Sequence, residues 1–203
     1  MAEAGILVLG FVLGGLPFSN LVAKRTRGVD LRDVGVGKVS TSALYRLAGT
    51  GPLLVAALAD IAKGTVAPLL AGDRWVLAAF AGGVTVLGHN WSPFLRGAGG
   101  RGVAPALGAL AVNGWPGTLF LLGGLGAGKA FRQSALGGFV AELLLTPFLA
   151  AVDGGRGALV GACMAVPLLV KRVAANGRPT TPGWRPYAER LLFDPGDEPP
   201  ARP

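Results

Sequence analysis

One histidine, one cysteine, two methionines and two tyrosines are spread over 203 residues. A single cysteine excludes an internal disulfide and any multi-thiolate metal site. Cys163 sits inside an apolar run and reads as a packing residue. With one histidine, neither a Ser-His-Asp arrangement nor a metal-binding set is legible, and no metal is expected. Charge is also scarce, at 15% of residues against roughly 25% in an average soluble domain. Acidic groups are scarcer than basic ones, 11 against 19. The 34 glycines follow no three-residue period, which excludes a collagen-like chain.

What is present is apolar. Hydrophobic residues make up 51% and the mean hydropathy is +0.53. A soluble domain of this length would need more polar side chains to cover its surface, so the chain reads as an all-α, polytopic membrane helix bundle. Disorder, a coiled coil and a disulfide-rich module are excluded as the main description. The net charge of +8 would suggest nucleic acid in a soluble protein. In a membrane protein it points to loops anchored at an anionic cytoplasmic leaflet, and no nucleic-acid partner is expected.

Apolar runs fall at 4–23, 50–71, 75–88, 103–127, 134–151 and 157–170. The first lacks the basic start of a signal peptide, having Glu3 instead, and reads as a retained span. Asn113-Gly114-Trp115-Pro116-Gly117 interrupts the fourth, which is one kinked span or two short helices. Charge placement favours two helices. All lysines and arginines except Lys63, Arg74 and Arg156 lie in 24–49, 89–102, 128–133 and 171–203. These segments share one side only if there are about seven passes, with the N-terminus outside and the C-terminus cytoplasmic. The organisation expected is a membrane domain, 1–173, and a polar, proline-rich cytoplasmic tail, 174–203. The tail should be largely disordered from Asp194, with a short interfacial helix around Trp184, Tyr187, Leu191, Leu192 and Phe193.

Three constellations can carry chemistry. The loop GVDLRDVGVGKVSTSALYRLAG, residues 28–49, gathers Gly35, Gly37, Lys38, Ser40, Thr41 and Ser42. Glycine backbone, lysine and hydroxyls make a phosphate cradle; the bland alternative is a flexible linker with anchoring cations. It is not a Walker A motif, because Val39 follows Lys38 and Arg32 occupies the first glycine position. Second, GHNWSPFLRGAGGRGVAPALG, residues 88–108, contains a literal G-x-G-x-x-G. No strand precedes it and no acid follows about 20 residues on, so it is not a dinucleotide fingerprint. It is a glycine-rich turn with Arg96 and Arg101 leading into a helix, a good setting for an anion. His89 and Asn90 stand just before it; His89 could equally be an interfacial residue beside Trp91. Third are the intramembrane charges. Asp60 and Lys63 share a helix face and should pair or border a polar cleft. Glu142, without a partner in its own span, should face the bundle interior.

In this order and spacing the segments resemble the PlsY-type glycerol-3-phosphate acyltransferases of bacteria. GGLPFSNLVAK, residues 14–24, is similar to that family's G-S-I-P-F-G-Y-L-x-A-K. The basic loop resembles G-x-D-I-R-x-x-G-S-G-N-x-G-A-T-N-x-x-R-x-x-G. Asp60, Lys63 and Gly64 match D-x-x-K-G, and 88–108 resembles G-H-x-x-P-x-F-x-x-x-x-G-G-K-G-V-A-T-x-x-G. The resemblance implies a multi-pass enzyme of the bacterial cytoplasmic membrane, with its site at the cytoplasmic face and surrounded by membrane lipids. It implies acyl transfer from acyl phosphate to glycerol 3-phosphate, giving lysophosphatidic acid, with no cofactor. It further implies that Gly35 and Gly37 form a phosphate loop and that Arg46 and Arg101 hold phosphate. His89 and Asn90 would lie by the reacting centre beside Gly99 and Gly100, and either His89 or the departing phosphate would take the hydroxyl proton. Ser134 occupies the place of a family serine after the fifth pass. The departures are Val36, Lys38 and Ala43 in the loop, Gly15, Arg101 for lysine, and Pro105 for threonine; the C-terminal H-R-x-N-I-x-R-L keeps only the arginine, at Lys171-Arg172. They leave a rival expectation, a non-catalytic paralog that binds anionic lipid or partner proteins; a further one, a small transporter, rests on Asp60, Lys63, Glu142 and the broken helix at 113–117.

Overall fold

The computed structural model describes residues 2–34, 39–177, 179 and 182–193. Gly35, Gly37 and Lys38, and the tail from Asp194, lie outside the described residues. The described chain is helical, without a strand. Its helices are α1 (Glu3–Gly15), α2 (Phe18–Arg27), α3 (Thr41–Ala48), α4 (Thr50–Ala71), α5 (Trp75–Asn90), α6 (Val103–Asn113), α7 (Trp115–Ala130), α8 (Ser134–Ala174) and α9 (Arg185–Leu192). Three stretches are long and apolar enough to cross a membrane: Glu3–Arg27, Thr50–Ala71 and Ser134–Ala174.

The breaks follow local chemistry. Pro17 lacks an N–H and disfavours helix in the residue before it, so α1 stops before Leu16 and α2 restarts at Phe18. Ser40 caps α3 by accepting a hydrogen bond from the Ala43 N–H, 3.2 Å. Of the two readings of 103–127, two helices is the one found. Gly114, at φ −167° and ψ 66°, separates α6 from α7, and Pro116 sits in the first turn of α7, where no N–H is needed. The Thr118 hydroxyl donates to the Leu107 carbonyl, 3.4 Å, so α7 turns back along α6.

The two apolar runs 134–151 and 157–170 are the two halves of α8, separate helices that meet where Asp153 and Gly154 leave helical angles. Gly154 takes φ 55°, the left-handed region open to glycine. Beyond it the chain reverses, so that Gly157 faces Leu149 and Gly161 faces Leu145 and Thr146.

Small residues let the helices touch backbone to backbone, as in lipid-embedded bundles. A Cβ on Gly14 would overlap the Thr85 carbonyl, and one on Gly88 the Phe11 carbonyl, bringing α1 onto α5. Gly64 and Gly108 abut the Pro105 and Ile61 carbonyls where α4 crosses α6. The main apolar core lies among α5, α6, α7 and both halves of α8, around Val86, Leu110, Leu145, Leu149 and Met164. A second cluster under α3 joins Ala23, Leu31, Leu44, Ala56 and Leu95. The short helix around Trp184 is found as α9, against the end of α8, with the Arg190 guanidinium donating to the Val173 carbonyl, 3.3 Å.

Candidate active site

Four segments meet at one end of the bundle: the α1–α2 junction, Val39 before α3, the middle of α4, and the end of α5 with the turn after it. Between them lies a small pocket lined by Leu16, Phe18, Asp60, His89, Gly99 and Gly100.

At its base are three groups on α4 and α5. Lys63 Nζ lies 2.7 Å from Asp60 Oδ1 and 3.0 Å from His89 Nδ1, and donates to the Leu16 carbonyl at 2.7 Å. Lys63 and Asp60 stand one turn apart on α4, so their side chains share a face. Asp60 and Lys63 are buried, and the His89 side chain keeps 15% of its surface exposed, towards the pocket. The Phe18 ring stands 5.5 Å from Lys63 Nζ and closes the apolar side.

The glycine-rich turn forms the roof. Its loop is closed by the Ser92 N–H donating to the Ala98 carbonyl, 3.1 Å, and the Gly97 N–H donating to the Ser92 carbonyl, 2.8 Å. The Ser92 hydroxyl donates to the Gly15 carbonyl, 2.5 Å, tying the turn to the end of α1. A Cβ on Gly99 would strike the His89 carbonyl, and one on Gly100 the His89 ring at Nε2. These two positions must be glycine for the turn to lie on the imidazole.

Asn176, which composition marks only as part of the polar tail, packs against the turn. Its amide nitrogen donates to the Gly99 carbonyl, 3.0 Å, and its oxygen accepts from the Gly99 N–H, 3.1 Å. Lys171 Nζ donates to the same oxygen, 2.7 Å, and lies 5.0 Å from the Trp91 ring centre. The family pattern puts asparagine two positions after arginine. Here it comes four after Arg172, beyond a helix end where Ala175 takes φ 50°, and that displacement hid it.

The remaining expected residues fall in several places. Arg101 follows the roof glycines directly. Asn90 faces away from the pocket; its amide donates to the Pro167 carbonyl of α8, 2.8 Å, and its oxygen abuts Gly102. Its contacts are those of a buried tether, because the helical step from His89 rotates it to the other face. Ser40, Thr41, Ser42 and Arg46 sit at and on α3, beside the pocket wall provided by Val39. The Ser40 and Ser42 hydroxyls lie 3.2 Å apart. Ser134 is not among the pocket's lining residues. It opens α8 next to Gln133, at an apolar groove of about 980 Å³ between α7 and α8.

The intramembrane charges are paired. Glu142 takes a two-point contact from Arg172, Nε to Oε2 at 2.9 Å and Nη2 to Oε1 at 3.0 Å. Neither the Asp60–Lys63 pair nor this one is left as an uncompensated charge of the kind that would motivate a transport pathway. Among the described residues no group of three potential metal ligands forms.

The sequence profile of the family described as glycerol-3-phosphate acyltransferase matches residues 4–178. Glycerol-3-phosphate acyltransferase 1 of Deinococcus radiodurans is 42% identical over 111 residues, 52% of this chain and 54% of the relative. The Thermus thermophilus glycerol-3-phosphate acyltransferase is 46% identical over 112 residues, 54% of this chain and 56% of the relative. The chain thus spans about half the length of these curated relatives in the matched region. The crystal structure of PlsY, an integral membrane glycerol 3-phosphate acyltransferase, in its glycerol 3-phosphate form superposes with a TM-score of 0.77 at 26% identity, covering 96% of this chain and 94% of that one. Profile and helical membrane architecture agree, and this chain belongs to the glycerol-3-phosphate acyltransferase family.

Proposed function

We propose that the protein transfers an acyl chain from acyl phosphate to glycerol 3-phosphate, forming lysophosphatidic acid and inorganic phosphate at the cytoplasmic face of a bacterial membrane. The observation that carries the reading is the assembly of His89, Lys63 and the Gly99–Gly100 turn into one pocket at one end of the bundle. Lys171 and Arg101 stand nearby. The wider frame is seven passes with the N-terminus outside.

The chemistry asks for positioning more than activation. Acyl phosphate is a mixed anhydride, already reactive at its carbonyl. The glycerol hydroxyl oxygen forms a bond to that carbon, the bond from carbon to the phosphate oxygen breaks, and phosphate leaves with the electron pair and takes up the hydroxyl proton. Holding two anions and a hydroxyl in line supplies most of the rate. Backbone N–H groups and cations around the turn counter charge on the phosphates. Ser40, Thr41, Ser42 and Arg46 border the same end and, together with Gly35, Gly37 and Lys38 of the same sequence motif, are assigned to phosphate binding. Asn176 fixes the turn through Gly99.

Purified protein supplied with acyl phosphate and glycerol 3-phosphate should release phosphate and lysophosphatidic acid in equal amounts. Gly100→Ala, whose methyl displaces the His89 ring, should lower kcat about a hundred-fold, the scale of a displacement of about 1 Å, in protein that remains folded by its melting curve. Absence of turnover in folded wild-type protein overturns the reading.

A further inference from the structure

The contacts of Lys63 settle which nitrogen of His89 carries its proton. A lysine ammonium has three N–H donors and no lone pair. Lys63 Nζ is hydrogen-bonded to the Leu16 carbonyl at 2.7 Å and to His89 Nδ1 at 3.0 Å, and is ion-paired with Asp60 Oδ1 at 2.7 Å. A charged ammonium has no lone pair to offer, so in its bond with the imidazole it donates and Nδ1 accepts. Asp60 Oδ1 lies 3.6 Å from His89 Nδ1, too far to take a proton directly from the ring. A neutral lysine could reverse the last bond, but it would leave the buried Asp60 carboxylate without a countercharge, an arrangement that burial penalises heavily. Ammonium, carboxylate and neutral imidazole together carry no net charge.

We propose that Lys63 is a positioning residue that locks His89 as the Nε2–H tautomer, making His89 a hydrogen-bond donor to a substrate oxygen in the pocket and not the base that removes the hydroxyl proton. With Nδ1 occupied, the only nitrogen facing the Gly100 turn is Nε2, and it holds a hydrogen. It can donate to an oxygen on which negative charge develops. Asp60 acts one step further back by holding Lys63 charged. The donor role rests on the acyltransferase reading; the tautomer does not.

Because His89 is the only histidine, ring-labelled histidine gives a single pair of imidazole nitrogen signals in the full chain in micelles. Nitrogen-15 NMR at pH 7 should show Nε2 protonated and Nδ1 bare but hydrogen-bonded. A protonated Nδ1 overturns the proposal whether or not the protein turns over acyl phosphate. Lys63→Met should convert the ring to a mixture of tautomers in protein that remains folded by its melting curve; an unchanged spectrum in that protein overturns the role of Lys63. If Lys63→Met does not fold, the wild-type spectrum and the next measurement decide. In His89→Gln the side-chain amide can replace the Nε2–H donor but cannot act as a base. It should keep kcat within about ten-fold of wild type, while His89→Ala loses about a hundred-fold or more, the scale of removing one positioned donor to a developing oxyanion. Equal losses in the two variants overturn the donor role.

Discussion

Asp30 shows how one side chain can organise an exposed stretch. The Arg32 guanidinium grips its carboxylate at two points, Nε to Oδ1 at 3.0 Å and Nη2 to Oδ2 at 2.8 Å. Lys24 approaches to 2.9 Å. The hydrogen bond from Arg32, reinforced by Lys24, holds the Asp30 carboxyl well below the usual carboxylate range. A carboxyl lowered in the folded state stabilises fully above its unfolded pKa of about 4 and loses that contribution as pH falls towards the folded value. Asp30→Asn should therefore cost about 1–2 kcal/mol at pH 7 and progressively less below pH 4, read from melting curves in detergent at the two pH values. The motif G-x-D-I-R made this residue visible in the sequence, but its contacts were not. Asn176 was harder still: nothing in a lone asparagine after a helix says that both its amide atoms meet the Gly99 backbone.

For the elements, the long α8 is instructive. Its halves reverse at Asp153–Gly154 and are joined towards the end opposite that reversal by Glu142 and Arg172, both almost fully buried. Arg172 also donates to the Ala135 carbonyl, 3.2 Å, and to the Leu191 carbonyl of α9, 3.3 Å. Removing one member strands the other charge. Glu142→Ala should cost about 3–5 kcal/mol, and Arg172→Met on that background should recover much of the loss, both by thermal denaturation. No recovery would mean that the carbonyl contacts of Arg172 matter more than its charge. The apolar runs made most helices legible, and the Asn113–Gly117 cluster marked the α6–α7 break. The α8 reversal was marked by the gap between the runs 134–151 and 157–170, although only a single glycine at φ 55° makes the turn. The partner of Glu142 was hidden: it lies 30 residues further along, close only once the reversal is made.

Across the whole molecule, the ends of the bundle differ. One gathers His89, Lys171 and the glycine turn; the other carries Arg74, 3.9 Å from Glu3, and the Asp153–Arg156 pair, 3.5 Å apart. With α6 only 11 residues long, about 17 Å of helix, hydropathy by itself would not count it as a pass. Basic loops supplied that argument. In a Cys163→Ser background, Asp73→Cys and Gly177→Cys should label from opposite faces of membrane vesicles with an impermeant thiol reagent, Gly177→Cys only from the cytoplasmic side. Labelling of both from the same face would refute the sevenfold crossing. The family's membrane fold was legible from motif order and apolar runs, whereas the way the motifs converge depends on backbone contacts between glycines that periodicity does not encode.

The last carbonyl beyond α1, on Leu16, receives one of the three hydrogens of Lys63. The amino-terminal helix is therefore more than a tether to the bilayer. Any cut or rigid fusion that tugs on it would reach the imidazole through just two hydrogen bonds, disturbing turnover in a protein that is still inserted and still helical.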